Sequence, residues 1–231
     1  MKADKKIRSA LALNITLSFL AGYVDAVGFM ALFGLFTAHI TGNLVLLGAE
    51  MATPGHTFPL LKILVFPAFV VGVALATMLA SRCLKKKCNA LLVLYVVEMA
   101  LLIAFMLVGL IGGPIEEHMS GVAILAGTMG AMAMGVHSAC GRLLLPDLAP
   151  TAMMTGNVTQ AVIECIRLGQ DDGAGSTRSK CAKYFWPIVA FGTGALVASF
   201  AYFRFEFQAL LLPIVLVLIL AFVEAWDEMR A

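Results

Sequence analysis

Charge is what this chain has least of. Lys, Arg, Asp and Glu make up 13% of its 231 residues, about half of the ~25% usual in soluble domains. That scarcity excludes an ordinary soluble fold. The formal net charge of +2 says little, because its distribution matters more than its sum, and no nucleic-acid partner is expected. Cysteine is sparse too. Cys83, Cys88, Cys140, Cys165 and Cys181 form an odd set of five with no disulfide-rich framework. Cys83 and Cys88 flank a basic stretch expected in the cytoplasm, where thiols stay reduced. No nearby His completes a zinc site there, and no His-Glu-x-x-His is present. No metal or cofactor is expected, and the thirteen Met residues are read as gap-fillers.

Apolar residues are abundant. A hydrophobic fraction of 61% and a mean hydropathy of +0.95 imply an all-α polytopic membrane protein whose main partner is the lipid bilayer. Long apolar runs are expected to span at 11–35, 60–80, 90–111, 120–143, 185–203 and 209–224. The N-terminus resembles a signal peptide, with Lys2, Lys5, Lys6 and Arg8 before an apolar run. Its pattern returns in the second half, so it is read as a retained first span. Asn14, Ser18, Gly22, Asp25 and Gly28 fall three or four residues apart and define one face of that span, expected to turn inward.

One motif occurs twice. Thr41-Gly42-Asn43 returns as Thr155-Gly156-Asn157, displaced by 114 positions, each time with Glu seven places after Asn, at Glu50 and Glu164. The offset is about half the chain and implies a duplication. Gly22–Gly28 lies opposite Gly135–Gly141, which sets Asp25 against Ser138 with His137 adjacent. Phe66-Pro67 with Gly72 parallels Trp186-Pro187 with Gly192, and Asn89-Ala90-Leu91-Leu92 resembles Gln208-Ala209-Leu210-Leu211. Each motif opens a short apolar helix, near 37–51 and 155–167, with only about half the length needed to cross a bilayer. The turn-rich, acidic stretch from Ile111 to His118 divides residues 1–112 from residues 119–231.

Basic residues set the expected topology. The N-terminus and the stretch Arg82–Lys87 are both Lys/Arg-rich and should both be cytoplasmic. Both can be inside only if the short helix between them does not cross. The fold expected is therefore six spans plus two re-entrant half-helices in a 3+3 inverted repeat. The acidic Glu224, Asp227 and Glu228 then fall inside, against the trend but with little weight in the rule.

Paired half-helix N-termini suit a carboxylate, carbonyl or other anion. Thr41, Gly42, Asn43, Thr155, Gly156 and Asn157 are the candidate substrate-binding residues; the alternative is that the two ends cap each other around buried water. Asp25, past the middle of the first span, costs about 2.5–3.5 kcal/mol if unpaired. It is the first candidate for proton or cation coupling, against a structural hydrogen bond, and Glu98 is the second. Glu50, Glu164, His39 and His137 are candidates for a gate or vestibule, against solvated or merely packed roles.

Gly22-x-x-Asp25-Ala26-x-Gly28 followed by His39-Ile40-Thr41-Gly42-Asn43 resembles the YoaK-like family of bacterial membrane proteins, over essentially the whole chain. The resemblance implies a multi-pass protein of the bacterial inner membrane of about this length. It implies no substrate and no catalytic residues.

The function expected is a small secondary transporter, not an enzyme, moving a small polar or anionic solute with H+ or Na+. Three rivals stay open: a passive channel of the same architecture, an intramembrane enzyme acting on lipid or isoprenoid, and a non-catalytic membrane scaffold. A homodimer is compatible with either architecture.

Overall fold

The computed structural model describes residues 2–53, 60–113, 120–168 and 174–230. The expected loop around Pro54, Gly55 and His56, the acidic turn at Glu116 and Glu117, and the segment from Gln170 to Gly173 lie outside them. The described residues form eight α-helices and one short 3-10 helix: α1 Lys2–Ala31, α2 Ile40–Ala52, α3 Leu60–Lys86, α4 Ala90–Ile111, α5 Gly121–Leu144, α6 Met154–Leu168, α7 Ala174–Phe205 and α8 Leu211–Arg230, with the 3-10 turn Glu206–Leu210 between the last two.

Five stretches are long and apolar enough to cross a membrane: Ser9–Ala31, Leu60–Lys86, Ala90–Ile111, Gly121–Leu144 and Ser179–Arg230. The last contains both α7 and α8. The two short helices match the expected positions closely. Several boundaries differ: α1 begins at Lys2, α7 begins at Ala174 rather than near 185, and α8 runs to Arg230 rather than 224. The first helix ends at Ala31 rather than 35, because Phe33 and Gly34 take positive φ values of 54° and 73° and turn the chain back. Helix α3 continues through the basic residues as far as Lys86. The expected loop is reduced to a tight turn, where Asn89 caps α4 by accepting from Leu92 N–H at 3.0 Å.

Residue pairs fix the helix directions. Glu98 and Phe105 of α4 meet His137 and Gly130 of α5, so these two run antiparallel. Leu61, Val65 and Gly72 of α3 lie beside Gly127 and then Met132 and Gly135 of α5, so those two run parallel. Helix α8 opposes α4, since Asn89 bonds to Glu224 at one end and Gly109 touches Phe207 at the other. Near its start α1 reaches Ala149, beyond the end of α5, through Asn14. Near its end it meets Thr37, which also touches Gly130 of α5. Residues 10–14 of α1 share a cavity wall with 179–183 of α7, and 22–30 share another with 191–199, so α1, α4 and α7 run one way, and α3, α5 and α8 the other.

The tightest crossings join the two halves. Gly22 of α1 lies against the Phe191 backbone of α7, and Gly194 of α7 against the Phe19 backbone of α1. Likewise Gly72 of α3 lies against Met132 of α5, and Gly135 of α5 against Phe69 of α3. Without Cβ atoms the backbones approach closely, which is how helices gain packing energy where water provides no drive. Gly194 makes the contact, whereas Gly192, paired with Gly72 on sequence, has open space around it. Helices α1 and α5 form the centre, with 56% and 61% of their apolar windows buried against 28% for α3 and α4. Phe200, Phe203 and Phe222 stay exposed on the outer face, as residues against lipid do. The small-polar face of α1 does turn inward: Asn14, Ser18 and Asp25 are all buried.

Candidate functional site: two carboxylate–histidine pairs

The return of the chain after α1 is what builds the first site. Residues 35–39 fold back alongside the last turns of α1, and the N–H groups of Thr37 and Ala38 both donate to Asp25 Oδ1 at 2.7 Å. Thr37 Oγ1 adds a longer bond of 3.3 Å to the same oxygen. The other carboxylate oxygen meets His39 Nδ1 at 2.7 Å. Asp25 is buried, while the His39 side chain is 34% exposed. The Asp25 hydrogen bond raises the His39 imidazole above its ordinary range, against a smaller lowering by burial. His39 lines a cavity of about 420 Å³ with Gly22, Asp25, Phe36, Phe191 and Ser199.

The second site joins residues far apart in sequence. His137 Nδ1 lies 2.9 Å from Glu98 Oε1, and His137 Nε2 lies 2.9 Å from Thr151 Oγ1. All three side chains are buried. Both ring nitrogens are thus engaged, which fixes the imidazole and gives Glu98 the partner that a carboxylate at this depth requires. The Tyr95 hydroxyl is buried and has no hydrogen-bond partner among the described residues. Thr151 also borders a second cavity, of about 350 Å³, with Ser138, Arg142, Pro146 and Met153. Because α1 and α5 run in opposite directions, the two cavities sit toward opposite ends of the bundle.

The repeated motif proves longer than Thr-Gly-Asn. Thr37-Ala38 before α2 returns as Thr151-Ala152 before α6, with the same pattern of bends. The Asn43 carboxamide accepts from Phe36 N–H at 2.9 Å and donates to Phe36 O at 2.7 Å. Asn157 donates to Pro150 O at 2.6 Å, again seven residues back. These two side chains brace the bends. Thr41, Thr155 and Gly156 are exposed and Gly42 is half-buried. Gly42 borders the first cavity.

Glu50 is held by Lys62 at 2.7 Å, a buried cation that also donates to Phe33 O at 3.1 Å, so an ion pair fastens α2 to α3. Glu164 instead pairs within α6, with Arg167 at 3.2 Å and Gln160 at 2.9 Å. Helix α6 is tied to α7 by a Cys165–Cys181 disulfide, a pairing the cysteine count did not reveal.

The structure therefore joins four candidates named separately from sequence, Asp25 with His39 and Glu98 with His137. The residues missed were Thr37, Thr151 and Lys62. The first two had a visible signal in the Thr-Ala dipeptide repeated 114 residues apart, and Lys62 one in being a lone cation inside an apolar run. Among the described residues no cluster of His, Cys, Asp and Glu could hold a metal ion. Each pair sets a carboxylate against an imidazole, beside a bend that borders a cavity.

No curated protein and no solved structure matches the chain. A family model does match residues 13–223, and the chain belongs to that family, the one described as "Protein of unknown function (DUF1275)".

Proposed function

We propose that this protein is a small secondary transporter, a 3+3 inverted repeat with two half-helices, that couples movement of a small polar or anionic solute to protons. One observation carries the reading. Two carboxylate–histidine pairs, Asp25–His39 and Glu98–His137, each hydrogen-bond a matched threonine, Thr37 or Thr151, and that threonine's bend borders a cavity toward its own end of the bundle.

The opposed directions of α1 and α5, α3 and α7, and α4 and α8 support the inverted repeat, as do the exchanged glycine contacts. The arrangement suits alternating access, with one half rocking on the other. Protonation of a pair changes its charge, and that change can bias which cavity opens. A proton fits better than Na+, because each carboxylate faces an imidazole rather than a ring of oxygens. The motif residues Thr41, Gly42, Asn43, Thr155, Gly156 and Asn157 then serve to hold the bends beside the cavities. In this reading the N-terminus and the Lys85–Lys87 turn face the cytoplasm of a bacterial inner membrane.

The test is uptake into proteoliposomes across an imposed proton gradient, with a panel of labelled small organic acids and amino acids. Asp25→Asn is expected to abolish accumulation while leaving downhill exchange. Unchanged accumulation in that variant sinks the coupling; downhill flux alone in the wild type makes it a facilitator.

A second reading has one observation in its favour. Thr151 hydroxyl, His137 and Glu98 stand in the order and spacing of nucleophile, base and orienting carboxylate, which suits an intramembrane enzyme acting on lipid esters. Covalent labelling of Thr151 by a lipophilic fluorophosphonate favours that reading, and failure to label removes it.

A further inference from the structure

Thr37-Ala38 and Thr151-Ala152 occupy the same bend in the two halves, yet they face different groups. In the first half the N–H groups of Thr37 and Ala38 converge on the Asp25 carboxylate at 2.7 Å each, with His39 N–H at 3.5 Å. In the second half the position of Asp25 belongs to Ser138, which is shorter and uncharged. Among the described residues the N–H groups of Thr151, Ala152 and Met153 meet no protein acceptor.

These three residues line the 350 Å³ cavity together with Ser138 and Arg142. Arg142 has no carboxylate partner among the described residues; its guanidinium reaches only Met153 Sδ, at 3.9 Å. The same backbone cradle that grips a carboxylate in one half is therefore, in the other, turned toward a cavity that also holds an unpaired cation.

We propose that this cavity binds the carboxylate group of a small organic acid, seated where the second half lacks an Asp25 of its own. Two adjacent N–H donors and a guanidinium match the two oxygens of a planar carboxylate. Pro146, Leu148 and Met153 give the remainder of the molecule an apolar wall. The volume is at the small end of ligand pockets, which restricts the acid to a compact one. The inference rests on the transporter reading for its purpose, since it names the solute class, but the binding itself is measured without any gradient.

The same oxyanion chemistry is offered by a lipid phosphate, so the test uses two sources. Full-length protein in phosphatidylcholine nanodiscs is unfolded thermally with acetate, benzoate or inorganic phosphate, and again in discs containing phosphatidylglycerol. Benzoate or acetate is expected to raise Tm saturably, and phosphate to raise it less. Arg142→Gln should weaken the half-saturation roughly 10-fold or more, the loss of one charge-assisted bond. Ser138→Asp supplies the missing carboxylate from within the chain. It should raise Tm without ligand and abolish the response; should it not fold, Arg142→Gln decides alone. The proposal is overturned by no saturable shift at tens of millimolar acid, by an equal shift in Arg142→Gln, or by protection from phosphatidylglycerol alone. Lost binding with intact proton-driven uptake removes this inference only. Intact binding with uptake indifferent to Asp25→Asn removes the coupling only.

Discussion

Replacing Asp25 by Ala and by Asn separates its work in holding the fold from any work in coupling. Ala removes the acceptor of two backbone N–H groups bonded at 2.7 Å and leaves both buried. Hydrogen bonds to a charged group contribute about 1.5–3 kcal/mol each, so the pair is worth roughly 3–6 kcal/mol. Breaking a buried ion pair by deleting one partner gives a similar figure, about 3–5 kcal/mol. Asn keeps a carbonyl oxygen for the same N–H groups, and its amide can face a neutral His39 Nδ1. Its cost should be only about 1–2 kcal/mol. Cys83 and Cys140 are buried free thiols and Cys88 an exposed one, so in a Cys88→Ser background a thiol-reactive fluorophore reads unfolding in detergent. The expected order is wild type, then Asp25→Asn, then Asp25→Ala by a wide margin. An Ala variant within about 1 kcal/mol of wild type, or an Asn variant as damaged as Ala, refutes the anchoring role.

Three further outcomes are expected. Gly22→Ala and Gly135→Ala set a Cβ against the backbones of Phe191 and Phe69, and each should cost about 1–3 kcal/mol or more. Gly48→Ala meets open space and should be neutral or stabilising by up to about 1 kcal/mol; equal effects at the three sites would undo the close-packing argument. The Cys165–Cys181 pair lies at the same end of the bundle as the start of α1, the reducing side in this topology, so it should close once the protein is purified in air: SDS titration should then find three free thiols, Cys83, Cys88 and Cys140, with Cys165 and Cys181 appearing only after reduction. Because the folded-state pKa of His39 is raised, its contribution is complete below its ordinary value of about 6.5 and declines as pH rises through the folded value. The Tm difference between wild type and His39→Gln should therefore shrink from about pH 6.5 upward, and a difference that grows with pH would contradict the Asp25 pairing.

Helices and their order were legible because membrane depth imposes a length on each apolar run. The short helices could be located because Thr-Gly-Asn repeats at a half-chain offset. Four titratable residues stood out for the same reason, since lipid makes a charge conspicuous. Their partners did not. Glu98 finds His137 only once α4 and α5 pack antiparallel, and no local period encodes that register. Asn43 and Asn157 were legible as important but not in their role, because a carboxamide suited to a ligand suits a backbone bend equally well. The two Thr-Ala dipeptides lay outside the motif as first delimited, and their meaning came only from the carboxylate they hold.

The exchanged glycine contacts have a consequence for how the chain is made. Gly22 of α1 finds its partner, Phe191, only when α7 has been synthesised. At ordinary elongation rates that delay is on the order of ten seconds. Through that interval α1 sits in the membrane with its partner absent. Asp25 need not wait, because Thr37, Ala38 and His39 follow it within fourteen positions and can neutralise it as soon as the linker emerges. Asn14 has no such local help, since it pairs with Ala149. The nascent first half thus carries Asp25 already held, while Asn14, Glu98 and the close-packing face at Gly22 wait for the second half.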